Sequence, residues 1–376
     1  EKYFFAYEAF ETFLFSPNTT TDARGAQIRD AIDLKRLMMT VIIAMMPCLL
    51  FGMWNIGHQH FLATGQTGSI GDAFLIGLLK TLPIIIISYG VGLGIEFIFA
   101  TIRRHPVNEG FLVTGMLIPL VMPPDVPLWQ VAIATAFAVV IGKEAFGGTG
   151  MNVVNIALTA RAFLYFAYPS QISGEVWTLL DAGVKPVAGY SGATPLAVAA
   201  ASTGNVVSDF NTFGTGWAEG LYSLKSMFLG TIPGCIGETS TLMCLIGALI
   251  LVATGVGSWK IIVSVFAGAY GMGFLLNVLG TTPFTQMPAH YHLVMGGLAF
   301  GAVFMATDPV TAAQTETGKW IYGLMIGIFT VMIRVFNPAY PEGIMLAILL
   351  MNVFAPLIDY FVVSANKKRR LQRATV

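Results

Sequence analysis

Apolar side chains dominate the 376-residue chain: 55% of its residues are hydrophobic and 11% are charged, whereas a soluble domain carries about 25% charged residues. The mean hydropathy of +0.73 predicts a membrane protein and excludes a disordered chain or a disulfide scaffold. Because 20 basic residues balance 20 acidic ones, the chain lacks the surplus positive charge of a nucleic-acid binder.

Ten apolar stretches approach the roughly 20 residues that a helix needs to cross a bilayer. They predict an all-α polytopic membrane protein with about ten transmembrane helices. In chain order they are 37–54, 82–100, 110–122, 126–141, 153–168, 240–256, 261–279, 293–306, 320–336 and 344–363. The third and the eighth are short and end in turns at Pro123-Pro124-Asp125 and Asp308-Pro309, so we expect broken helices there that line a buried cavity.

Positive charge predicts the orientation of these helices. The basic positions are Arg24, Arg29, Lys35, Arg36, Arg103, Arg104, Lys143, Lys260, Lys319 and the tail 367–370. They alternate with nearly uncharged connections, which places both termini in the cytoplasm. Segment 1–36 is then a cytoplasmic N-terminal segment in which we expect no signal peptide, and 364–376 is a basic cytoplasmic tail. The longest connection, 169–239, falls on the outer, periplasmic face, and its length favours a functional loop.

A weak internal repeat divides the helices into two sets of five, 37–168 and 240–363. In each set a short helix is followed by an Asp/Pro turn, a tryptophan, a basic residue and an asparagine. The first series is Pro123-Pro124-Asp125, Trp129, Lys143 and Asn155, and the second is Asp308-Pro309, Trp320, Arg334 and Asn352. Five helices per repeat invert the second copy, which is typical of proteins that hold substrates or ions between two halves.

The chain offers few residues for a metal or iron–sulfur centre. Cys48, Cys235 and Cys244 are far apart in sequence, so no such centre can be built from this chain alone. The histidine pairs at 58–60 and 290–292 have no third ligand at a clear spacing, which argues against zinc.

The most informative short string comprises Ser191, Gly192, Ala193 and Thr194, in the outer connection. Its small residues let a bulky group approach the backbone, and the hydroxyl of Thr194 supplies an oxygen for a phosphoester. By residue type alone the string is a small-residue turn. It resembles, however, the flavinylation motif whose final threonine carries covalently attached FMN in membrane redox complexes.

The whole chain resembles the B subunit of the sodium-pumping NADH:quinone oxidoreductases of bacterial membranes. The similar text comprises DLKR at 33–36, VNEGF at 107–111, KEAFGGTG at 143–150, FAYPSQISG at 166–174, GYSGAT at 189–194, IPG at 232–234, MATDPV at 305–310 and NPAYPEG at 337–343. It extends over roughly residues 1–370. The D subunit of the related Rnf complex shares the fold and the flavin motif, but the text at 107–111 and the basic N-terminal segment favour the B subunit.

This resemblance implies two flavins. Covalent FMN is expected on Thr194, and noncovalent riboflavin is expected inside the helix bundle. Asn152 and Asn155 lie on one side of a helix start, where they could hydrogen-bond the riboflavin ring. Alternatively, Asn152 caps the helix and Asn155 bonds a neighbour. Arg161 and Arg334, in the fifth and ninth helices, are expected to offset negative charge on a reduced flavin.

Two positions depart from the family pattern. The flavinylation motif usually has an acidic residue six positions before its threonine, and this chain has Ala188, which bears on recognition by the flavin transferase rather than on the acceptor oxygen. After the Gly-rich loop the family tends to read Asn-Pro-Ala-Leu, whereas this chain reads Asn155-Ile156-Ala157-Leu158. That change removes a helix-start constraint and leaves the asparagines in place.

The resemblance also implies a quinone, for which we predict a pocket on the cytoplasmic face. A quinone head with a prenyl tail needs an aromatic slot and one or two hydrogen-bond partners. The candidate residues are Glu109, Gly110, Phe111 and Leu112, which open the third helix, with Phe163 and Tyr165 on the fifth. The alternative is that these rings are ordinary core residues.

Two acids lie inside apolar stretches, where a carboxylate costs free energy unless it is paired or hydrated. Glu96 and Asp359 lie toward the cytoplasmic ends of their helices, and their hard oxygens suit Na⁺. We therefore predict that both belong to the Na⁺ path. Alternatively, Glu96 pairs with Arg103 or Arg104, and Asp359 is held near the basic tail.

By this resemblance the chain is expected to be the flavin-bearing subunit of a six-subunit complex in the bacterial inner membrane. Partner subunits would collect electrons from NADH, and FMN and riboflavin would pass them to a ubiquinone-type quinone while Na⁺ moves outward. A different class of function, a small-solute transporter or channel with an inverted repeat, is consistent with the repeat alone.

Overall fold

The computed structural model describes residue 7 and residues 34–104, 110–172, 176–178, 185–337 and 342–374. These residues form α-helices and their connections, with no strand among them. The first group of helices comprises α1 (Leu34–Thr64), α2 (Ile70–Arg103), α3 (Phe111–Leu120), α4 (Leu128–Gly142) and α5 (Ile156–Ala167). The outer connection contains α6 (Pro195–Ala201), α7 (Val206–Thr212) and α8 (Leu224–Leu229). The second group comprises α9 (Thr241–Ala253), α10 (Trp259–Leu279), α11 (Ala289–Val294), α12 (Leu298–Phe300), α13 (Glu316–Phe336) and α14 (Ile344–Ala374).

Each of the ten apolar stretches contains a helix, but the helices differ in length. Six are apolar and long enough to cross a membrane: α1, α2, α4 with the turn that follows it, α10, α13 and α14. The prediction that the third and eighth stretches are short or broken is confirmed, because α3 has 10 residues and α12 passes into a π-helical turn, Gly301–Met305. The helices α5 and α9, with 12 and 13 residues, are also shorter than a full span. The chain is thus a multi-pass membrane protein, and the number of ten spans stays a prediction.

The predicted boundaries of the first two helices are wrong by more than two turns. The helix α1 continues past Trp54 to Thr64 because its polar residues are buried and bonded: Asn55 Nδ2 donates to the carbonyl of Ile232 at 2.9 Å. The helix α2 begins well before the predicted start, at a capping box in which the side chains of Ser69 and Asp72 each bond the other's backbone amide. The last helix, α14, likewise continues through the basic tail to residue 374.

The two groups of helices pack in a similar way. In the first group α2 packs along α4 and α4 along α5, and in the second α10 packs along α13 and α13 along α14. The groups meet where α1 contacts α9 and where α5 contacts α14. A single large apolar core spans both groups, and it includes Met45, Leu117, Phe300 and Tyr322. These shared neighbours agree with two five-helix repeats, while their inverted relation stays a prediction.

Ion pairs join neighbouring helix ends in each group. Arg103 at the end of α2 binds Glu144 just after α4, with 3.1 Å between Nη1 and Oε2. At the starts of α10 and α13, Lys260 and Lys319 both bind Glu316. If these basic ends face the cytoplasm, as the charge pattern predicts, α2 and α4 run inward, whereas α10 and α13 run outward.

The described part of the outer connection is folded rather than extended. Its short helices form a second apolar core against the segment that contains α11. The buried residues of this core include Leu196, Phe210, Tyr222, Met227, Phe284 and Met287. The connection is therefore fixed to the second group of helices, and it holds the SGAT motif at a defined place.

Candidate functional site

The SGAT motif forms the turn that enters α6. Thr194 is the N-cap residue, with an extended backbone (φ −76°, ψ 160°), and its Oγ1 accepts a hydrogen bond from the amide of Ala197 at 3.3 Å. Pro195 follows at the first helical position, where a proline has no helical hydrogen bond to lose. The hydroxyl of Tyr222 donates to the carbonyl of Ala193 and ties the motif to the outer core. Thr194 itself is half-buried, so its side chain stays accessible while its backbone is fixed.

The first half of the motif is a tight local turn. The amide of Ala193 donates to Oγ of Ser191 at 3.3 Å, and Gly192 is buried between them. Ala188, where the family usually has an acid, lies in the connection just before this turn. Its departure from the family pattern therefore changes the surface that leads to the motif and leaves the threonine's own hydrogen bonding intact.

An open cavity with aromatic walls lies in the same connection as the motif. Its free space is about 670 Å³, and Gly189, Phe213 and Trp217 line it. The rings of Tyr190 and Trp217 meet at 4.9 Å between centroids, and Phe213 stacks on Tyr222 at 4.4 Å. Aromatic faces of this kind provide a stacking surface for a planar heterocycle. Tyr190 directly precedes the motif, and Val198 of α6 also lines this cavity.

A smaller cavity extends from Thr194 into the protein and has about 300 Å³ of free space. Cys235, Glu238 and Glu342 line it. Glu238 is only 4% exposed, and burial together with the nearby Glu342 raises the pKa of its carboxyl to about 8, although Arg161 and a hydrogen bond with Cys235 act in the opposite direction.

Sequence reasoning missed both of these acids. The available signal was their position in family-like text, since Glu342 belongs to NPAYPEG and Glu238 follows IPG. Neither acid lies within an apolar stretch, so the search for charges inside predicted helices passed over them.

The two predicted arginines are fully buried and bind backbone carbonyls at the ends of short helices. Arg161 donates from Nη1 to the carbonyl of Val121, which follows α3, at 2.6 Å, and its guanidinium lies 5.4 Å from the ring centre of Trp177. Arg334 donates to the carbonyls of His292 and Met295 at 2.6 and 2.8 Å. A cation at a helix C-terminus is favoured by the helix dipole. Both arginines therefore stabilise the broken segments besides placing positive charge near the cavity behind Thr194.

The predicted riboflavin residues lie together in an inner cavity at the N-terminal end of α5. Asn152 and Asn155 both line it, and its free space, with its open mouth, is about 840 Å³. Asn155 is the N-cap of α5 and accepts from the amide of Leu158 at 3.2 Å, while Asn152 donates to the carbonyl of Val154 at 3.2 Å. The alternative in which Asn152 caps the helix is thus wrong, because Asn155 is the cap.

Other polar residues of this inner cavity were not predicted. They are Thr114, Lys143, Thr149, Thr307 and Asp308. Asp308 accepts hydrogen bonds from the amide of Val310 and the hydroxyl of Thr311 at 3.2 and 2.9 Å, and burial raises the pKa of its carboxyl. Most of these residues lie in text that resembles the family, but nothing in their spacing shows that the two halves of the chain meet here.

The predicted quinone residues lie at the start of α3 and on α5, two helices that contact each other. Glu109 lies outside the described residues. Gly110 lines the inner cavity, and the next residue, Phe111, is buried against Tyr89, with 6.3 Å between the ring centres. The neighbouring Leu112 is half-buried, and its carbonyl accepts from the hydroxyl of Tyr89 at 2.5 Å.

The other two quinone candidates, Phe163 and Tyr165, lie on α5. Phe163 stacks on Phe137 of α4 at 4.6 Å, and Tyr165 meets the ring of the exposed Phe166 at 5.2 Å. Among the described residues, the rings of Phe163 and Phe111 thus contact different partners. Of the described candidates, only Gly110 at the start of α3 borders the inner cavity.

The two predicted Na⁺ ligands are both engaged by protein groups. Glu96 is buried and pairs with Lys143, not with Arg103, which instead binds Glu144. Asp359 accepts from the amides of Gln314 and Thr315 at 2.7 and 3.0 Å and from the hydroxyl of Thr315 at 2.5 Å. It therefore holds the two residues that lead into α13, whose N-cap is Thr315, rather than being held by the basic tail.

Metal-binding clusters are not found among the described residues, where no three histidine, cysteine, aspartate or glutamate side chains come together as a ligand set. His58 stacks on Trp54 at 4.9 Å, and His292 is buried against Phe284 at 5.9 Å. Both rings thus pack as aromatic side chains.

Comparison with known proteins agrees with the resemblance predicted from the sequence. A family model described as the NQR2, RnfD, RnfE family matches residues 21–368. Relatives named as the B subunit of Na(+)-translocating NADH-quinone reductase are 48% identical in Ectopseudomonas mendocina, 47% in Stutzerimonas stutzeri and 47% in Chromohalobacter salexigens. The alignments cover 99% of this chain and 94%, 94% and 92% of these relatives. The predicted resemblance is confirmed, and the chain belongs to the NQR2, RnfD, RnfE family.

Proposed function

We propose that this chain is the flavin-bearing membrane subunit of a Na⁺-translocating NADH:quinone reductase of the bacterial inner membrane. The names of its relatives, each aligned over almost the whole chain, support this function. We further propose that it works in a six-subunit complex, whose other subunits bind NADH. The multi-pass helical architecture supports a function inside the membrane.

The environment of Thr194 carries the proposal of covalent FMN. Its half-buried side chain lines the smaller cavity, and the adjoining connection offers the rings of Tyr190, Phe213 and Trp217. The residues present therefore fit a phosphoester-linked flavin, with an accessible acceptor oxygen and an aromatic surface nearby. The fixed backbone of the motif would limit where the attached group can lie.

The inner cavity fits the proposed riboflavin. Asn152, Asn155 and Thr149 place polar side chains among the apolar ones that line it, which suits a largely apolar ring with polar edges. Gly110 borders the same space, so we propose that the quinone head approaches near the start of α3. Bound flavins would accept electrons that originate from NADH and pass them, one or two at a time, to quinone.

The protein's own residues position these groups and balance their charge. We propose that Arg161 and Arg334 stabilise negative charge near the attachment site, since both guanidiniums are buried and fixed by carbonyl oxygens. The second flavin would lie next to the buried pair of Glu96 and Lys143, because Lys143 lines the inner cavity.

The first experiment replaces the proposed acceptor. Thr194→Ala should abolish both the mass increment of phosphoester-linked FMN and the in-gel fluorescence of the denatured subunit, because only the side-chain oxygen can form that bond. Thr203→Ala, an exposed threonine of the same connection, is the matched control and should retain both signals. An unchanged increment in Thr194→Ala would contradict the assignment.

The same experiment separates the proposed function from a small-solute transporter. A transporter would show no covalent flavin in the wild type. If the wild type is only partly flavinylated, Ala188→Asp should raise the occupancy, because it restores the acidic residue that the family usually has six positions before the threonine.

A further inference from the structure

Glu238 has an environment that no function described above explains. It lies in the connection between α8 and α9, it is 4% exposed, and it lines the cavity that begins at Thr194. Its Oε1 has no hydrogen-bond donor among the described residues. No described lysine or arginine forms an ion pair with it either. A buried carboxylate of this kind is costly unless a cation or a proton compensates its charge.

A second carboxylate lies beside the same cavity. The amide of Gly297, at the start of α12, donates to Oε2 of Glu342 at 3.1 Å. A Cβ on Gly297 would lie 2.9 Å from Oε2 of Glu238, so only glycine lets that carboxylate approach so closely. Gly296 similarly would place a Cβ 3.1 Å from both carboxylate oxygens of Glu342. Two glycines in succession thus make room for two acids that face one cavity.

The charges around this cavity would be balanced by one additional positive ion. Arg334 uses its donors on the carbonyls of His292, Met295 and Glu342, and Arg161 binds the carbonyl of Val121. Near neutral pH the carboxyl of Glu238, whose pKa is raised, holds a proton when no cation is bound. With both acids ionised, the two guanidiniums balance them, and a phosphodiester on Thr194 would add one negative charge. A monovalent cation restores the balance.

We propose that Glu238 and Glu342 bind Na⁺ in the cavity behind Thr194. The space that water-sized species can reach in this cavity is about 20 Å³, which is room for a single ion coordinated directly by the protein. Carboxylate oxygens are hard ligands suited to such an ion, and Thr194 and Thr239 border the same space. The inference rests on the proposed Na⁺ translocation, and it places an ion between the outer connection and the second group of helices.

The experiment measures equilibrium binding of ²²Na⁺ to the purified complex without NADH or quinone. Glu238→Gln and Glu342→Gln should each weaken one binding site at least tenfold, because each removes a charged ligand. Glu219→Gln, an exposed acid of the same outer connection, should leave the binding unchanged. Should Glu238→Gln fail to assemble, Glu238→Asp keeps the charge and should weaken binding less than Glu342→Gln does.

The outcomes distinguish the site from the proposed function. Wild-type binding in both glutamine variants would overturn the site, and it would show that Glu238 holds only a proton. An equal loss in Glu219→Gln would overturn it as well, because the effect would then follow from net charge alone. If the buried variants lose Na⁺ while the wild type lacks covalent flavin, the two carboxylates hold the ion by themselves. The site then stands, and the flavin proposal fails together with the phosphodiester as the source of the extra negative charge.

Discussion

The burial of the Glu96 carboxylate is explained by a partner within the protein, without a bound ion. Its carboxylate meets the ammonium of Lys143, and the two side chains are 5% and 2% exposed. Lys143 in turn lies 5.9 Å from the centre of the Phe111 ring. The charge of this carboxylate is already compensated by Lys143, so it attracts Na⁺ less. Asp359 instead has three donors on its two oxygens, which leaves few lone pairs for an ion.

Removal of the Glu96 charge should therefore destabilise the protein more than it changes Na⁺ binding. Glu96→Gln leaves Lys143 buried without a counter-charge, which costs about 3–5 kcal/mol in comparable buried pairs. We expect a lower midpoint of thermal unfolding and an unchanged half-saturating Na⁺ concentration for turnover. Asp359→Asn should also lower the midpoint of thermal unfolding and leave the Na⁺ dependence unchanged, because a neutral side chain accepts more weakly from the donors at the start of α13.

Two variants control this prediction. Glu96→Gln combined with Lys143→Met should recover much of the lost stability, because it removes both charges. Glu316→Gln breaks the exposed pairs with Lys260 and Lys319 and should lower the midpoint of thermal unfolding far less than Glu96→Gln does. A shift of about tenfold or more in half-saturating Na⁺ for Glu96→Gln or Asp359→Asn would instead place that acid in the ion path.

At the scale of elements, the short helices bring functional groups to the inside of the protein. The helix α3 begins beside Gly110 at the inner cavity and ends at Val121, where Arg161 binds the carbonyl. On the second side α12 begins at Gly297 beside the two acids. Each broken segment thus begins or ends at a proposed binding site. The backbone N–H and C=O groups at the end of a short helix have no partner within that helix, so they need partners of this kind.

Enlarging Gly110 tests the start of α3. A Cβ at this position would lie 2.7 Å from Cγ2 of Thr149, so Gly110→Val should push that side chain into the inner cavity. We expect quinone reduction to fall at least tenfold while the complex assembles, and riboflavin content to fall with it if the two share the space. The measurement compares quinone reduction with internal flavin reduction by NADH.

Gly90 provides the matched control for this variant. A Cβ there would meet no atom within 4 Å, so Gly90→Val should leave both rates close to wild type. An equal fall of both rates in Gly110→Val would show that the change acts upstream or on assembly, and it would remove the quinone from the start of α3.

The sequence predicts the helices well and their ends poorly. Apolar runs find every stretch that becomes a long helix, but they stop at the first polar residues, as at Asn55, which is buried and bonded to a residue 177 positions away. Contacts between residues that are far apart in sequence also keep parts of the site from being predicted. Thr194 is found because its motif is contiguous, whereas Glu238 becomes visible only when the fold brings Gly297 beside it.

At the scale of the molecule, the two groups of helices form one body through α1 with α9 and α5 with α14. The buried thiols of Cys48 and Cys244 lie at this junction, with 3.8 Å between their sulfur atoms. The inner cavity is also lined from both groups, by Asn155 from the first and by Asp308 from the second. A ligand there would therefore contact both halves.

The orientation of this body can be tested by labelling single introduced cysteines. In spheroplasts a membrane-impermeant maleimide should label Thr203→Cys, in the outer connection, but should label Asn366→Cys only after permeabilisation. The charge pattern requires this result, because it places the tail in the cytoplasm. The wild type is the control, since Cys48, Cys235 and Cys244 are all buried. The reverse labelling pattern would invert the topology.

The cap at Thr194 has a consequence for the order of maturation. A hydroxyl oxygen has two lone pairs and one hydrogen, and the bond from the Ala197 amide uses a lone pair only. An ester at this oxygen replaces the hydrogen and leaves an acceptor for the same amide. The unmodified chain therefore needs no attached group to begin α6 at this residue. In the proposed flavinylation, a transferase acting after insertion into the membrane would meet a threonine whose cap hydrogen bond is already formed.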